Sequence, residues 1–118
     1  MEKTMDDIKK LQQEFSNCQK LLIAIGDEVR QYILCIMMKR KCSGSRVIDI
    51  AANTNLSRSA VSHHIQILKD AGIVKSRKEG TCIYYYLDPE DNEIDKVINL
   101  FRHIKEIMGT LPDRSGEE

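Results

Sequence analysis

The amino-acid sequence predicts a mainly α-helical domain that carries a single β-hairpin. Apolar residues recur at spacings of three and four before residue 72 and again after residue 93, which is the period of amphipathic helices. Between residues 73 and 87 the period changes to two, as in strands. A length of 118 residues suits one compact domain. The predicted order is four helices, a two-stranded hairpin and a final helix.

The first two helices are predicted from an apolar seam and a cap. The seam of the first helix consists of Ile8, Leu11, Phe15, Cys18, Leu22 and Ile25. These residues alternate spacings of three and four. Gly26 and Asp27 interrupt the pattern, and Asp27 is a suitable N-cap for a second helix. That helix is expected to end near the basic cluster at 39–41.

The third and fourth helices are close together in the chain. A short helix is predicted from Val47 to about Asn53, followed by a tight turn at residues 54–56. Ser57 caps a fourth helix that runs to about Ala71, where Gly72 ends it. Two helices joined by three or four residues are typical of a helix-turn-helix unit.

A hairpin and one more helix complete the chain. Strands are predicted at Ile73–Lys78 and Cys82–Leu87 around a turn at 79–81. The segment 88–91, Asp-Pro-Glu-Asp, is a strong helix start. The apolar stripe of the last helix consists of Ile94, Val97, Ile98, Phe101, Ile104, Ile107 and Met108. We expect residues 1–111 to form one domain and residues 112–118 to be a disordered tail.

The charge of the chain is zero in total but unevenly distributed. Residues 39–82 contain nine basic and three acidic residues, a net charge of +6, between acidic flanks. Such a basic centre favours a polyanionic partner. No apolar run is long enough to span a membrane, and the first residues lack the apolar segment of a signal peptide. We therefore expect a cytoplasmic protein without a membrane partner.

The fourth helix has two different faces. On a helical wheel its inward side groups Ala60, Val61, His64, Ile65, Ile67, Leu68 and Ala71. We expect His64 to be packed and bonded to a nearby carbonyl. The outward side includes Arg58, Ser59, Ser62, His63 and Gln66. These short donors and acceptors are of the kind that reads base edges and phosphates in a major groove. With the basic hairpin that follows, they predict a winged helix-turn-helix that binds double-stranded DNA.

At this point the sequence resembles the ArsR/SmtB family of winged helix-turn-helix repressors. The segment AIGDEVRQYIL, at 24–34, is similar to the family's second helix. The segment LSRSAVSHHIQILKDAGIVKSRKEGTCIYYYL, at 56–87, is similar to its recognition helix and wing. The resemblance covers about Leu21 to Ile107. It implies a homodimer formed by the first and last helices, which acts as an effector-released repressor on a palindromic operator.

The resemblance also implies which residues contact DNA. Arg58, Ser59, Ser62 and His63 would contact bases and nearby phosphates from the recognition helix. Arg77, Lys78 and Thr81 would contact the backbone or the minor groove from the wing. Many relatives carry glutamine at the position of Arg58. Because arginine reads guanine with two hydrogen bonds, this departure predicts a shifted base preference.

The effector is the least predictable property. The third helix has no C-x-C pair, so the thiophilic metal site of many relatives is rejected. A second family site, between the last helices, would use Glu90, His103 and Glu106 for a divalent metal such as zinc. Asn92 stands there in place of a histidine and is a poor zinc ligand. The alternative is that His103 and Glu106 are an exposed pair.

Thiol or redox sensing is the other open possibility. Cys35 resembles the second-helix cysteine of relatives that sense sulfur species or oxidants, but the last helix has no cysteine. Cys35 would then act alone or with Cys18 or Cys42. Cys18, on the first seam, and Cys82, at the start of a strand, are expected to be structural. The chain contains no C-x-x-C motif, and reduced thiols are expected.

Other function classes have little support in the sequence. There is no G-x-S-x-G motif, no glycine-rich phosphate loop and no evident catalytic carboxylate pair, so an enzyme is not expected. A winged-helix interaction module without DNA binding is the remaining alternative. The basic wing and the polar face of the fourth helix argue against it.

Overall fold

The computed structural model describes residues 2–40, 43–90 and 92–116, and the elements follow in the predicted order. They are α1 (Glu2–Ile25), α2 (Glu28–Lys39), α3 (Val47–Ala52), α4 (Arg58–Asp70), β1 (Lys75–Glu79), β2 (Cys82–Tyr86) and α5 (Ile94–Gly109). In the described part of the chain, no helix combines the length and the apolar character needed to cross a membrane.

The predicted helix caps of α2 and α4 are confirmed. The Asp27 side chain accepts a hydrogen bond from the Arg30 backbone amide at 3.0 Å, and this bond lowers the pKa of the Asp27 carboxyl. Ser57 Oγ accepts from the Ala60 amide at 3.1 Å. Gly72 follows α4 with a φ of +84°, a conformation that side-chain-bearing residues rarely adopt.

The hairpin begins two residues later than the sequence predicted. Ile73 and Val74 belong to the helix end and the core: both amides donate to the Leu68 carbonyl, and both side chains are buried. β1 and β2 then pair antiparallel from Lys75 opposite Tyr86 to Glu79 opposite Cys82. Ser45, in the loop before α3, lies alongside β2, where Ser45 and Tyr85 exchange two backbone hydrogen bonds of 2.8 Å.

The predicted start of the last helix at 88–91 was wrong. Asp88 Oδ1 accepts from the Glu90 amide, and Asp88 Oδ2 pairs with the Lys75 ammonium at 3.4 Å, so Asp88 forms a turn at the base of the wing. Asn92 Oδ1 accepts from the Ile94 amide at 2.8 Å, where α5 begins. Asp91 lies outside the described residues.

The core lies where α1, α2, α3 and α4 meet. Its fully buried aliphatic side chains include Ile33, Ile50, Val61, Ile65, Leu68 and Val74. α5 packs along α1, with Leu100 fully buried between them. Leu100 was not on the predicted stripe, and Leu21 and Ala24 were not on the predicted seam, although all three are buried.

Part of each predicted apolar surface remains uncovered. Ile8 and Phe15 on α1 are exposed, although they belong to the predicted seam. Ile98, Phe101 and Met108 on α5 are also exposed, Phe101 by 55%. α1 and α5 therefore have more apolar surface than one chain covers.

Candidate nucleic-acid interface

The two faces of α4 are separated as the helical wheel predicts. Val61, Ile65 and Leu68 are completely buried in the core. The five outward residues Arg58, Ser59, Ser62, His63 and Gln66 are all exposed. The outward face can therefore contact a ligand without any change in the packing of the core.

One arginine of α2 links the end of α1 to α4. Arg30 is buried, and its guanidinium donates to the carbonyls of Ala24 at 2.8 Å and Ile23 at 3.2 Å, at the end of α1. Its Nη1 lies 3.3 Å from His64 Nδ1. Since a guanidinium has no acceptor, His64 Nδ1 accepts this bond. His64 is half-buried on the inward side of α4, but its partner is Arg30 and not the carbonyl we expected.

A groove of about 560 Å³ separates the start of α4 from the wing. Arg58, Ser59 and Ser62 line one wall, and Thr81 lines the other. Half of the eight predicted DNA-contacting residues thus face a common groove. His63 and Gln66 lie farther along the exposed face of α4, where Gln66 Nε2 donates to Asp70 at 2.9 Å.

The sequence analysis did not predict six of the described residues that line the groove, among them an arginine and two isoleucines. Arg46 and Ile48 from the start of α3, and Ile83 from β2, also line the groove. Arg46 pairs with Asp49 at 3.3 Å and holds the pKa of that carboxyl below its usual value. Ile48 and Ile83 are 41% and 46% exposed. The +6 charge of the segment was a signal for Arg46, but an isoleucine in an apolar pattern is indistinguishable from core.

The two predicted basic wing residues differ in their surroundings. Lys78 is exposed. Arg77 is held within the chain: its Nη1 donates to the Ser43 carbonyl at 2.6 Å, its Nη2 to Ser43 Oγ at 3.2 Å, and its Nε pairs with Glu79 at 3.0 Å. The guanidinium also lies over the rings of Tyr84 and Tyr86. Arg77 thus ties the wing to the loop that precedes α3.

The predicted metal ligands do not form a cluster within one chain. His103 is half-buried, and its Nδ1 lies 2.7 Å from Glu14 Oε1 on α1, so it is not the exposed partner of Glu106. Glu90 lies in the turn before α5, and the Asn92 side chain accepts from the Ile94 amide. Among the described residues, no three His, Cys, Asp or Glu side chains are placed to hold a metal ion.

The cysteines differ in their exposure. Cys35 is exposed on α2, whereas Cys82 is half-buried. Cys18 is buried, and this burial raises the pKa of its thiol. Cys42, the other partner considered for Cys35, lies outside the described residues. Cys35 is thus the described cysteine most accessible to a reagent.

Comparison with known proteins gives one consistent family. Residues 27–76 match the family described as "Bacterial regulatory protein, arsR family". An uncharacterized HTH-type transcriptional regulator of Methanocaldococcus jannaschii is 35% identical over 89 residues, 75% of this chain and 94% of the relative. A cadmium resistance transcriptional regulatory protein, the CadC homolog of Staphylococcus aureus, is 33% identical over 75% of this chain and 70% of its own.

A solved structure has the same fold. The homodimeric winged helix-turn-helix DNA-binding domain of a possible ArsR-family regulator from Mycobacterium bovis superimposes with a TM-score of 0.57 at 22% identity. The match covers 88% of this chain and 89% of that domain. The predicted winged helix-turn-helix fold is confirmed.

Proposed function

Because the chain belongs to the arsR family of bacterial regulatory proteins, a family of transcriptional regulators and not of enzymes, we propose that it is an effector-released repressor. In this proposal it binds a palindromic operator as a homodimer in the cytoplasm. The observation that carries it is the groove in which the polar face of α4 meets the wing. The interaction module without DNA binding is not favoured, because the relatives are named regulators.

The proposed DNA contacts follow from this geometry. Arg58, Ser59, Ser62, His63 and Gln66 enter the major groove, with the N-terminus of α4 directed at a phosphate. Lys78 and Thr81 contact the backbone from the wing. Arg77 contributes mainly by holding the wing in place, since its donors already bind Ser43 and Glu79.

The homodimer is supported by the uncovered apolar surface of α1 and α5. Phe15, Ile98, Phe101 and Met108 are exposed large side chains on these two helices. A symmetric pair of chains would bury them against one another. The similar domain from Mycobacterium bovis is described as homodimeric. A dimer would also place two copies of α4 at successive major grooves.

The test is fluorescence anisotropy of the reduced protein on DNA from upstream of its own gene. We expect the affinity to fall steeply with salt, because phosphate contacts release counterions. A scrambled duplex of equal length is the control. Equal affinity for both duplexes would contradict an operator-specific regulator, and no affinity for either would contradict DNA binding altogether.

For the effector we propose a divalent metal such as zinc, bound between subunits by Glu90, His103 and Glu106. Because the Asn92 side chain is already bonded to the Asp88 carbonyl and the Ile94 amide, the site would have three protein ligands. Adding zinc should release the DNA, and His103→Ala should abolish the release. The exposed neighbour variant Lys105→Ala should still respond. Release by zinc that persists in His103→Ala would refute these ligands.

Thiol sensing through Cys35 is the second candidate, favoured by the exposure of this residue. If zinc has no effect and hydrogen peroxide releases the DNA, Cys35→Ser should abolish that release. Cys82→Ser should leave it intact, because Cys82 is half-buried. A response that survives Cys35→Ser would exclude this thiol as the sensor.

A further inference from the structure

A cleft of about 260 Å³ lies on the protein surface between the end of α2, the loop before α3 and the strand β2. Its walls include Met37, Met38, Arg40, Ser43, Tyr86 and Leu87. The cleft is separate from the groove between α4 and the wing, and the two share only Tyr85 among the described lining residues. The DNA contacts proposed above do not use it.

Arg40 supplies a buried donor with nothing to bind in the described part of the chain. Its Nε is inaccessible to solvent and has no hydrogen-bond partner among the described residues. An unsatisfied charged donor is costly, and more so than a neutral one. The neighbouring carboxylate is already engaged, because Asp49 is hydrogen-bonded by Arg46 at 3.3 Å. Because Nε lies beneath the surface, a ligand in the cleft would accept hydrogen bonds from the Nη atoms of Arg40 and not from Nε.

The other walls of the cleft are suited to the apolar part of a ligand. Met37 and Leu87 contribute aliphatic wall, and Met38 is a flexible side chain that is 67% exposed. Thioether side chains adapt to irregular ligands and contact aromatic rings favourably. The volume lies just below the roughly 300–1,000 Å³ of ligand pockets for drug-sized molecules. It is sufficient for a ring that carries one acidic group.

We propose that this cleft binds a small organic anion, a carboxylate on an apolar body of about the size of benzoate. The carboxylate accepts hydrogen bonds from Arg40, and the apolar body lies against Met37, Met38 and Leu87. A charge-assisted bond to a guanidinium gives orientation as well as affinity. An inorganic anion would satisfy Arg40 but leave the apolar walls uncovered.

The ligand would contact the segment that holds the wing. Ser43, on the wall of the cleft, accepts both hydrogen bonds from the Nη atoms of Arg77. Ser45, two residues on, is bonded to Tyr85 of β2. An occupied cleft therefore changes the support of the wing. This consequence for DNA rests on the proposed function, whereas binding of the anion does not.

The experiment is a titration of the ¹⁵N-labelled full chain with benzoate, followed by two-dimensional NMR. We expect saturable shifts at Ser43, Ser45 and Leu87. Benzamide, a neutral analogue, and inorganic phosphate should each bind at least about tenfold more weakly, the size expected for loss of a charge-assisted bond or of the apolar contacts. Arg40→Gln should weaken benzoate by a similar factor, and the exposed arginine variant Arg102→Gln should not.

A second variant keeps the test valid if Arg40→Gln fails to fold. Met38→Trp places a larger side chain at an exposed position on the rim and should block benzoate while Arg40 is intact. The site is refuted if millimolar benzoate causes no saturable shifts. It is also refuted if the folded variants bind as wild type does, or if phosphate binds as tightly as benzoate.

The coupling to DNA is measured separately on the same proteins. Benzoate should change the anisotropy-derived affinity of wild type for DNA and leave that of Arg40→Gln unchanged. Binding of benzoate without any change in DNA affinity would refute the coupling and leave the site standing. Loss of DNA binding in every condition would instead count against the proposed function.

Discussion

At the scale of single residues, the base contact proposed for Arg58 makes a testable prediction about specificity. It is exposed at the first turn of α4 and lines the groove toward the wing. Arg58→Ala should relax the preference at one base pair of each half-site by about 1–3 kcal/mol, the value of a bidentate base contact. Anisotropy on a set of single-base operator variants measures this. Lys78→Ala is the control, because a phosphate contact should weaken all sequences equally and lower the salt slope.

Arg30 links α2 to the end of α1 and to α4 through its hydrogen bonds. Arg30→Met removes the hydrogen bonds that the guanidinium donates to two carbonyls of α1 and to His64. We therefore expect a loss of about 2 kcal/mol or more in the free energy of unfolding. Arg30→Lys should lose less, because it keeps a charge but not the planar fork. Urea denaturation measures both. A loss below about 0.5 kcal/mol for Arg30→Met would show that water replaces these bonds.

The sequence predicted the inward position of His64 but not its hydrogen bond with Arg30. The position of His64 in the apolar sector of α4 follows from helical periodicity. Its partner is separated from it by 34 residues, and helical periodicity carries no information over that distance. The same limit applies to Arg77 and Ser43, which are also 34 residues apart.

At the scale of elements, the connection after α4 depends on Gly72. A Cβ at this position would lie 2.5 Å from the Glu93 Cγ atom, and the φ of +84° disfavours any side chain. Gly72→Ala should therefore destabilise the protein by at least about 1 kcal/mol. Thermal or urea unfolding measures this effect.

Gly109 offers a matched control for the same substitution. It ends α5, and a Cβ there would meet no atom within 4 Å. Gly109→Ala should be neutral or stabilising by up to about 1 kcal/mol, because alanine favours the helix. Equal losses at the two positions would contradict the specific role of Gly72.

The boundaries of elements were predictable where the deciding residues are local. Asp27 and Ser57 cap helices through atoms three residues away, and both were found from sequence. The start of α5 was not, because Asp88 binds Lys75, 13 residues earlier in the chain. The stripe of α5 was also ambiguous, since Leu100 packs inward while Phe101 remains exposed.

At the scale of the whole molecule, the chain is elongated. Its radius of gyration is 18.7 Å and its extents are 60 × 30 × 23 Å. A compact domain of this length would have a radius of about 13 Å. An elongated chain with exposed apolar helices agrees with the proposed dimer. The groove between α4 and the wing is built from segments far apart in the chain, which is why its polar residues on α4 and Thr81 were predicted from sequence, whereas Arg46, Ile48 and Ile83 were not.

The dimer predicts a specific effect of charge on α5. Phe101→Glu places a carboxylate on the apolar surface and should shift the protein from dimer to monomer, with at least a tenfold loss of DNA affinity, since each half-site would bind alone. Light scattering after size exclusion measures the mass. Ile48→Glu, a similar change on the groove, should remain dimeric. A monomeric wild type, or a dimeric Phe101→Glu, would contradict this interface.

The separation of the two faces of α4 has a consequence for the origin of new regulators. The residues that hold the helix in the core and those directed outward are different sets with no member in common. Five outward positions can therefore change without loss of the scaffold. Duplicated copies of such a gene can diverge toward new target sites, and a designer can redirect the protein by rewriting the same five positions.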